Sequence, residues 1–220
     1  MNYMKHKELG LLLAFVFCAS FTGCTSVRSS VTTFHTMPQS GTGQSFAVIP
    51  SDRANESSLE FASYAQQVVN ELTGRNYQMI PGNGTNADLV VIVGYGIDDG
   101  RTVVGSAPVY GQTGGGTTSY SGTIGGDVFS GTAYSQPQYG VVGSQHYTHV
   151  VYTRVLTMRI LDGPDLVKGK MTTRFEGKVI SQGKTGNLSQ IVPVMIKALF
   201  KDFPSKSGTT RTVELPLPEK

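Results

Sequence analysis

Between Thr102 and Thr153 the only acidic or basic residue is Asp127, and 14 of the chain's 27 glycines lie between Gly94 and Gly143. Nothing else in the sequence limits the fold so strongly. The stretch "GQTGGGTTSYSGTIGGDVFSGTAYSQPQYG" offers few large aliphatic side chains, and each glycine costs extra backbone entropy to order. It cannot build a core of its own. It reads as a low-complexity insertion over about 102–146, rich in Gly, Ser, Thr and Tyr. Its tyrosines and valines are able to zip into a long hairpin continuing the strands expected on either side, at 87–98 and 147–161.

The flanks carry the regular patterns. "SFAVIPS" (45–51) is a short strand closed by Pro50. Ser57 and Glu60 have capping-box spacing, and Leu59, Ala62, Gln66, Val69 and Leu72 mark the expected inner face of a helix that Gly74 ends. "NYQMIP" (76–81) is a brief strand. "ADLVVIVGYGID" (87–98) is apolar on both faces and so belongs in the middle of a sheet. Beyond the insertion, Val150, Tyr152, Leu156, Met158 and Ile160 alternate with Thr153, Thr157 and Arg159. "GPD" turns the chain into a partner strand with Met171, Phe175 and Val179 inward. "NLSQIVPVMIKALFKDFP" reads as a helix capped near Ser189, with Pro193 in its first turn and Ile191, Met195, Ala198 and Leu199 buried. "TTRTVELP" is a last edge strand. The expected fold is α+β over 45–220: a single domain with a mostly antiparallel sheet, two helices packed on one face, and the Gly-rich insertion.

The first 24 residues give an address. Lys5 and Lys7 precede the apolar run "LGLLLAFVF", which has the length of a secretory core and is too short to span a bilayer. Small residues follow and end at Cys24. This order resembles the bacterial lipoprotein signal, which implies cleavage after residue 23 and lipid attachment at Cys24. Residues 24–44 are then a lipidated, Ser/Thr-rich tether. Cleavage discards Cys18, so the mature chain has no second cysteine for a disulfide and rests on its core alone. Two or three acyl chains hold a protein on a membrane durably. Thr25 stands where an aspartate, by resemblance to enterobacterial sorting, would retain the protein at the inner membrane. The expected location is the outer membrane, periplasmic face.

Loss of residues 1–23 leaves 16 basic against 14 acidic residues. The cations are scattered instead of clustered, so nucleic acid is not an expected partner. "ADLVVIVGYGID", "LTMRILDG" and "VPVMIKALFKDFP" together resemble the bacterial lipoprotein family known as domain of unknown function 4136, over roughly 30–205 outside the insertion. The resemblance implies an envelope lipoprotein with no assigned activity, and it carries over no catalytic residue.

Motifs with chemical potential fail on spacing. "GKVISQGKTG" (177–186) has five residues between Gly177 and Gly183 where a P-loop has four, and Gly177 falls within a strand. Ser181 and Lys184 match S-x-x-K, but a K-T-G built from the same Lys184 cannot face it across a cleft. "GYGIDDG" opens no helix and lacks the third glycine of a dinucleotide site. Asp88, Asp98 and Asp99 lack calcium-loop spacing. His146 and His149 point to opposite faces of a strand, and His35 lies in the tether, so no metal site is expected. No cofactor and no catalytic residue is assigned.

The expected function is that of a non-enzymatic lipoprotein that binds or scaffolds cell-envelope components, including an envelope protein partner. One alternative is an enzyme or small-ligand binder whose cleft between helix and sheet gathers Asp88, Asp98, Arg154 or Arg159. Another is a surface-exposed adhesive protein that uses the Tyr/Gly/Ser segment.

Overall fold

A computed structural model describes residues 26–39, 41–81 and 86–218. The expected signal segment and Cys24 lie outside the described residues. The first strand, β1, is Ser26–His35, within the stretch expected as tether. Its Ser/Thr content conceals a period of two: Val27, Ser29, Val31 and Thr33 point inward, while Arg28, Ser30 and Phe34 are exposed. Small hydroxyl side chains are tolerated inside where they find partners, as Thr33 does 2.7 Å from the Ser205 hydroxyl.

After β1 come β2 (Ser45–Pro50), helix α1 (Leu59–Thr73), β3 (Gln78–Met79) and β4 (Leu89–Ile97). Strands β5 (Arg101–Ile124) and β6 (Asp127–Asp162) follow, then a short helix α2 (Gly163–Val167), β7 (Thr173–Gly183), helix α3 (Leu188–Phe200) and β8 (Thr209–Pro216). The strands lie in the order β3-β2-β4-β6-β7-β1-β8, with β5 paired to β6, in one 8-stranded sheet. Both β3 and β4 run parallel to β2, whereas the pairings of β6, β7, β1 and β8 are antiparallel.

The expected α+β fold, a mostly antiparallel sheet with two helices packed on one face, is therefore corrected. Of the described residues 56% are in strands and 19% in helices, and the sheet is mixed. The physical reason lies in one connection. The chain leaves β2, passes through α1 and returns in β3 and β4, both parallel to β2, the crossover that parallel strands require. The antiparallel pair expected on either side of "GPD" is present as β6 and β7, joined through a helical turn in which Asp162 accepts from the Asp165 amide.

The chain forms two compact units, Asp99–Val151 and the remainder. The larger unit has one core, drawn from β1, β2, β4, β6 to β8, α1 and α3. Helix α1 starts one residue later than expected, with Ser58 accepting from the Phe61 amide at 3.3 Å. Its inner stripe is Phe61, Tyr64, Val68 and Leu72, and Leu59 is 88% exposed. The expected stripe starts from Leu59, the first apolar residue after the cap; two aromatic side chains bury more area and set the rotation instead.

Helix α3 buries Ile191, Met195, Ala198 and Leu199 as expected, together with Val192, Val194, Ile196 and Phe200. Asn187 is its cap, so Pro193 falls beyond the first turn, inside the helix. Two arginines meet its C-terminal carbonyls: Arg75 donates to Phe200 O at 2.6 Å, and Arg211 donates to Leu199 O at 3.1 Å. Cations there complement the helix dipole. On β6 the alternation holds from Leu156 to Ile160, but Val150 is exposed and the inward position before Leu156 belongs to Arg154. Met171 precedes β7 and is exposed.

Because Leu199 is buried and Leu59 is not, Leu199→Ala costs about 2–5 kcal/mol in urea unfolding, while Leu59→Ala stays within about 0.5 kcal/mol. Replacing 106–145 with a four-residue turn leaves the larger unit folded, since none of that core comes from the segment. Near-native thermal melts of the shortened chain check this.

Candidate functional site

Of the residues expected to share a cleft, Asp98 comes near Arg154, while Asp88 and Arg159 stand apart. Asp88 and Asp98 flank the nine-residue strand β4 at opposite ends, roughly 33 Å apart for an extended chain. Asp88 accepts from the Ser45 hydroxyl at 2.7 Å and from the Ser45 amide at 2.8 Å. These bonds hold its carboxyl below the ordinary carboxylate range, the hydroxyl contributing most. Asp98 accepts from the Thr153 amide at 2.8 Å. Arg159 is exposed and lies 3.4 Å from Glu176 on the neighbouring strand.

Arg154 is the exception to surface chemistry. It is 3% exposed and shares a cross-strand rung with Ile97, Ser181, Ser29 and Val213. Its guanidinium donates to Thr185 O at 2.9 Å and to the Ser181 hydroxyl at 3.1 Å, and Ser181 in turn donates to Arg28 O at 3.0 Å. Burial lowers its pKa, and the nearby Asp98 charge opposes that shift. Small Ser181 and Gly183, where a Cβ would lie 2.8 Å from the guanidinium, leave the space it needs. The group ties β6 to the segment after β7, and the same contacts occupy the Ser181 hydroxyl of the S-x-x-K match. Gly177 is in β7 against Leu199, and Lys184 is exposed. Tyr64 donates to Glu60 at 2.7 Å and meets the Tyr95 ring edge-on, with burial first and Glu60 second raising its pKa.

His35 lies at the end of β1, its ring nitrogens 3.2 Å from Met37 O and 3.0 Å from Ser205 O. His146 and His149 stand opposite Ser106 and Val103. Among the described residues, no three His, Cys, Asp or Glu side chains gather closely enough to hold a metal ion. The open depression of about 320 Å³ beside His35 is lined by Phe34, Arg174 and Glu176. Arg174 there is already committed to Asp162 at 2.7 Å.

The exposed apolar groups collect elsewhere. The unit Asp99–Val151 is a two-stranded ribbon in which β5 and β6 pair from Arg101↔Val151 to Ile124↔Asp127. Tyr110, Tyr120, Tyr134, Tyr139 and Tyr147 are each at least half exposed, and so are Ile124, Val128, Val141 and Val142. Aromatic rings lie across glycines on the facing strand: Tyr147 on Gly105, Tyr120 on Gly131, Phe129 on Gly122. This cross-strand cover lets Gly-rich strands hold a ladder. Three register shifts, at Val109/Tyr110, Gln112/Gly114 and Gly114/Gly116, interrupt it. The pairing fits the hairpin that the sequence allows: the two-residue turn at Gly125 and Gly126 sets Phe129 opposite Gly122 and Tyr120 opposite Gly131, whereas Tyr147 opposite Gly105 lies beyond the shifts and was not legible there.

The chain matches the family model described as Domain of unknown function (DUF4136) over residues 30–205, and it belongs to that family. No curated protein matches it. Among solved structures it is similar to a PDZ domain protein from Parabacteroides distasonis, with 13% identity and a TM-score of 0.42 over 86% of this chain. It spans 39% of that protein's length. It is also similar to the PelC dodecamer from Paraburkholderia phytofirmans, with 11% identity and a TM-score of 0.40, over 81% of this chain and 99% of that one.

Two substitutions test the polar sites. Arg154→Lys keeps the charge but loses the fork that reaches Ser181 and Thr185 together, so urea unfolding shows a loss of about 1–3 kcal/mol. The depressed pKa of Asp88 adds stability above the unfolded carboxylate pKa, and this is lost as pH falls through the folded value. Ser45→Ala removes the larger cause. The Asp88 carboxyl resonance then titrates at higher pH, and the acid side of the stability profile flattens.

Proposed function

We propose that this member of the DUF4136 family is a non-enzymatic lipoprotein, anchored to the outer membrane through Cys24 and facing the periplasm, that binds or scaffolds envelope components through its β-ribbon. The observation that carries the reading is where partner-accessible chemistry lies. Exposed aromatic and aliphatic side chains concentrate on a ribbon with almost no charge, whereas the candidate catalytic residues are scattered and engaged in structural hydrogen bonds. Tyrosine on a small-residue background makes contact area at low entropic cost. An exposed apolar surface of this kind is characteristic of interaction sites.

The anchor rests on sequence: a short apolar run flanked by lysines, small residues, then Cys24. Among the described residues no helix is long and apolar enough to cross a membrane.

Cys24→Ser removes the only proposed lipid acceptor. In membrane fractionation the variant accumulates as uncleaved precursor or leaves the outer-membrane fraction. Normal maturation and flotation with outer membranes would overturn the anchor.

A further inference from the structure

The ribbon has two open edges, and its two halves treat them differently. In the half near Arg101 and Val151, Pro108 and Pro137 and the three register shifts break the regular row of backbone groups. These are the features by which natural sheets protect edge strands. Beyond Gly116 they stop. From Gly116↔Ser135 to Ile124↔Asp127 the ladder is uninterrupted, without proline, and its only charge is Asp127 at the turn. A two-stranded ribbon with nothing packed on it is marginal in water, and an added strand stabilises it.

The sequence of the unprotected β5 edge says which strand fits. Residues 116–124 read "GTTSYSGTI", in which Ser119 mirrors Ser121 and Thr117 mirrors Thr123 about Tyr120, while Thr118/Gly122 and Gly116/Ile124 differ. We propose that this β5 edge pairs antiparallel with the same edge of a second copy, with Tyr120 on the two-fold axis. An isologous contact needs a self-complementary surface, and this register supplies one. Ser119 then opposes the partner copy's Ser121, and Thr117 opposes its Thr123, which are hydroxyl pairs favoured across strands. On the other face Tyr120 meets its own counterpart and Thr118 meets Gly122. No like charges oppose each other anywhere along the contact. Within each ribbon the Tyr120 ring lies over Gly131 on the facing strand, which draws it off the β5 edge and leaves the backbone accessible. The β6 edge from Val128 to Ser135, "VFSGTAYS", has no such symmetry. The product is a four-stranded sheet joining two ribbons, and it does not depend on the anchor proposed above.

The test uses the full chain carrying Cys18→Ser and Cys24→Ser, free of lipid. Sedimentation over a concentration series shows reversible dimerisation. Ser119→Lys with Ser121→Lys places lysines opposite each other twice across the contact and weakens dimerisation roughly tenfold. Within its own ribbon each meets only Thr132 or Ser130, so circular dichroism is unchanged. Ser119→Lys with Ser121→Glu restores the dimer, because each lysine then faces a glutamate. Tyr120→Cys cross-links under mild oxidation, since opposed antiparallel residues lie about 4.5–5.5 Å apart, within disulfide reach. A chain monomeric at all concentrations would overturn the proposal. So would dimerisation indifferent to the lysine pair, cross-linking through Tyr134→Cys in preference to Tyr120→Cys, or a monomer that floats with phosphatidylethanolamine/phosphatidylglycerol vesicles through the ribbon.

Discussion

The seating of α3 on the sheet over Gly177 is the contact on which the rest of the larger unit depends. A Cβ at Gly177 would lie 2.7 Å from the Phe175 ring and 2.8 Å from Leu199, closer than folded proteins allow. The absence of a side chain there lets Leu199 reach the strand backbone and brings the helix down onto β7. From that position α3 packs on β1, β7, β8 and β4, and it also meets α1. Arg75 and Arg211 close its C-terminal end from two different elements. The Arg75 guanidinium also lies over the Phe200 ring, 5.2 Å from its centre.

How much of this the sequence reveals depends on whether local chemistry or tertiary context decides an element. The central strand 89–97 was legible because Leu, Val and Ile on both faces suit only an interior position, and β4 lies between β2 and β6. The last helix was legible for the same reason, although the expected cap stands two residues beyond the true one. The first strand was not. Ser and Thr outnumber apolar residues in 26–35, and its inward Ser29 and Thr33 look like linker residues until the rungs they complete are known. Arg154 is hidden in the same way. Alternation places it inward, and the small Ser181 and Gly183 beside it make that position habitable for a guanidinium.

The two units solve opposite problems. In the larger one, large apolar side chains are buried in one core, and of the buried polar side chains Ser181 partners Arg154 while Thr33 pairs with Ser205. In the ribbon almost every side chain is exposed, and order rests on the backbone ladder with aromatic rings laid across glycines. That difference separates the roles the residues can serve. Candidate catalytic groups are absorbed into the architecture of the first unit, while the second presents contact-making groups that its own structure leaves uncovered.

The position of β1 between β7 and β8 sets the order in which the sheet can be completed. Ser26 pairs with Pro216 and Ser29 pairs with both Val213 and Ser181, so among the described residues the first strand is paired on both edges only once the last has joined it. Pairings of such high sequence separation are slow to form. A chain that lacks β8 still offers β7 to β1 but leaves the other edge of β1 unpaired.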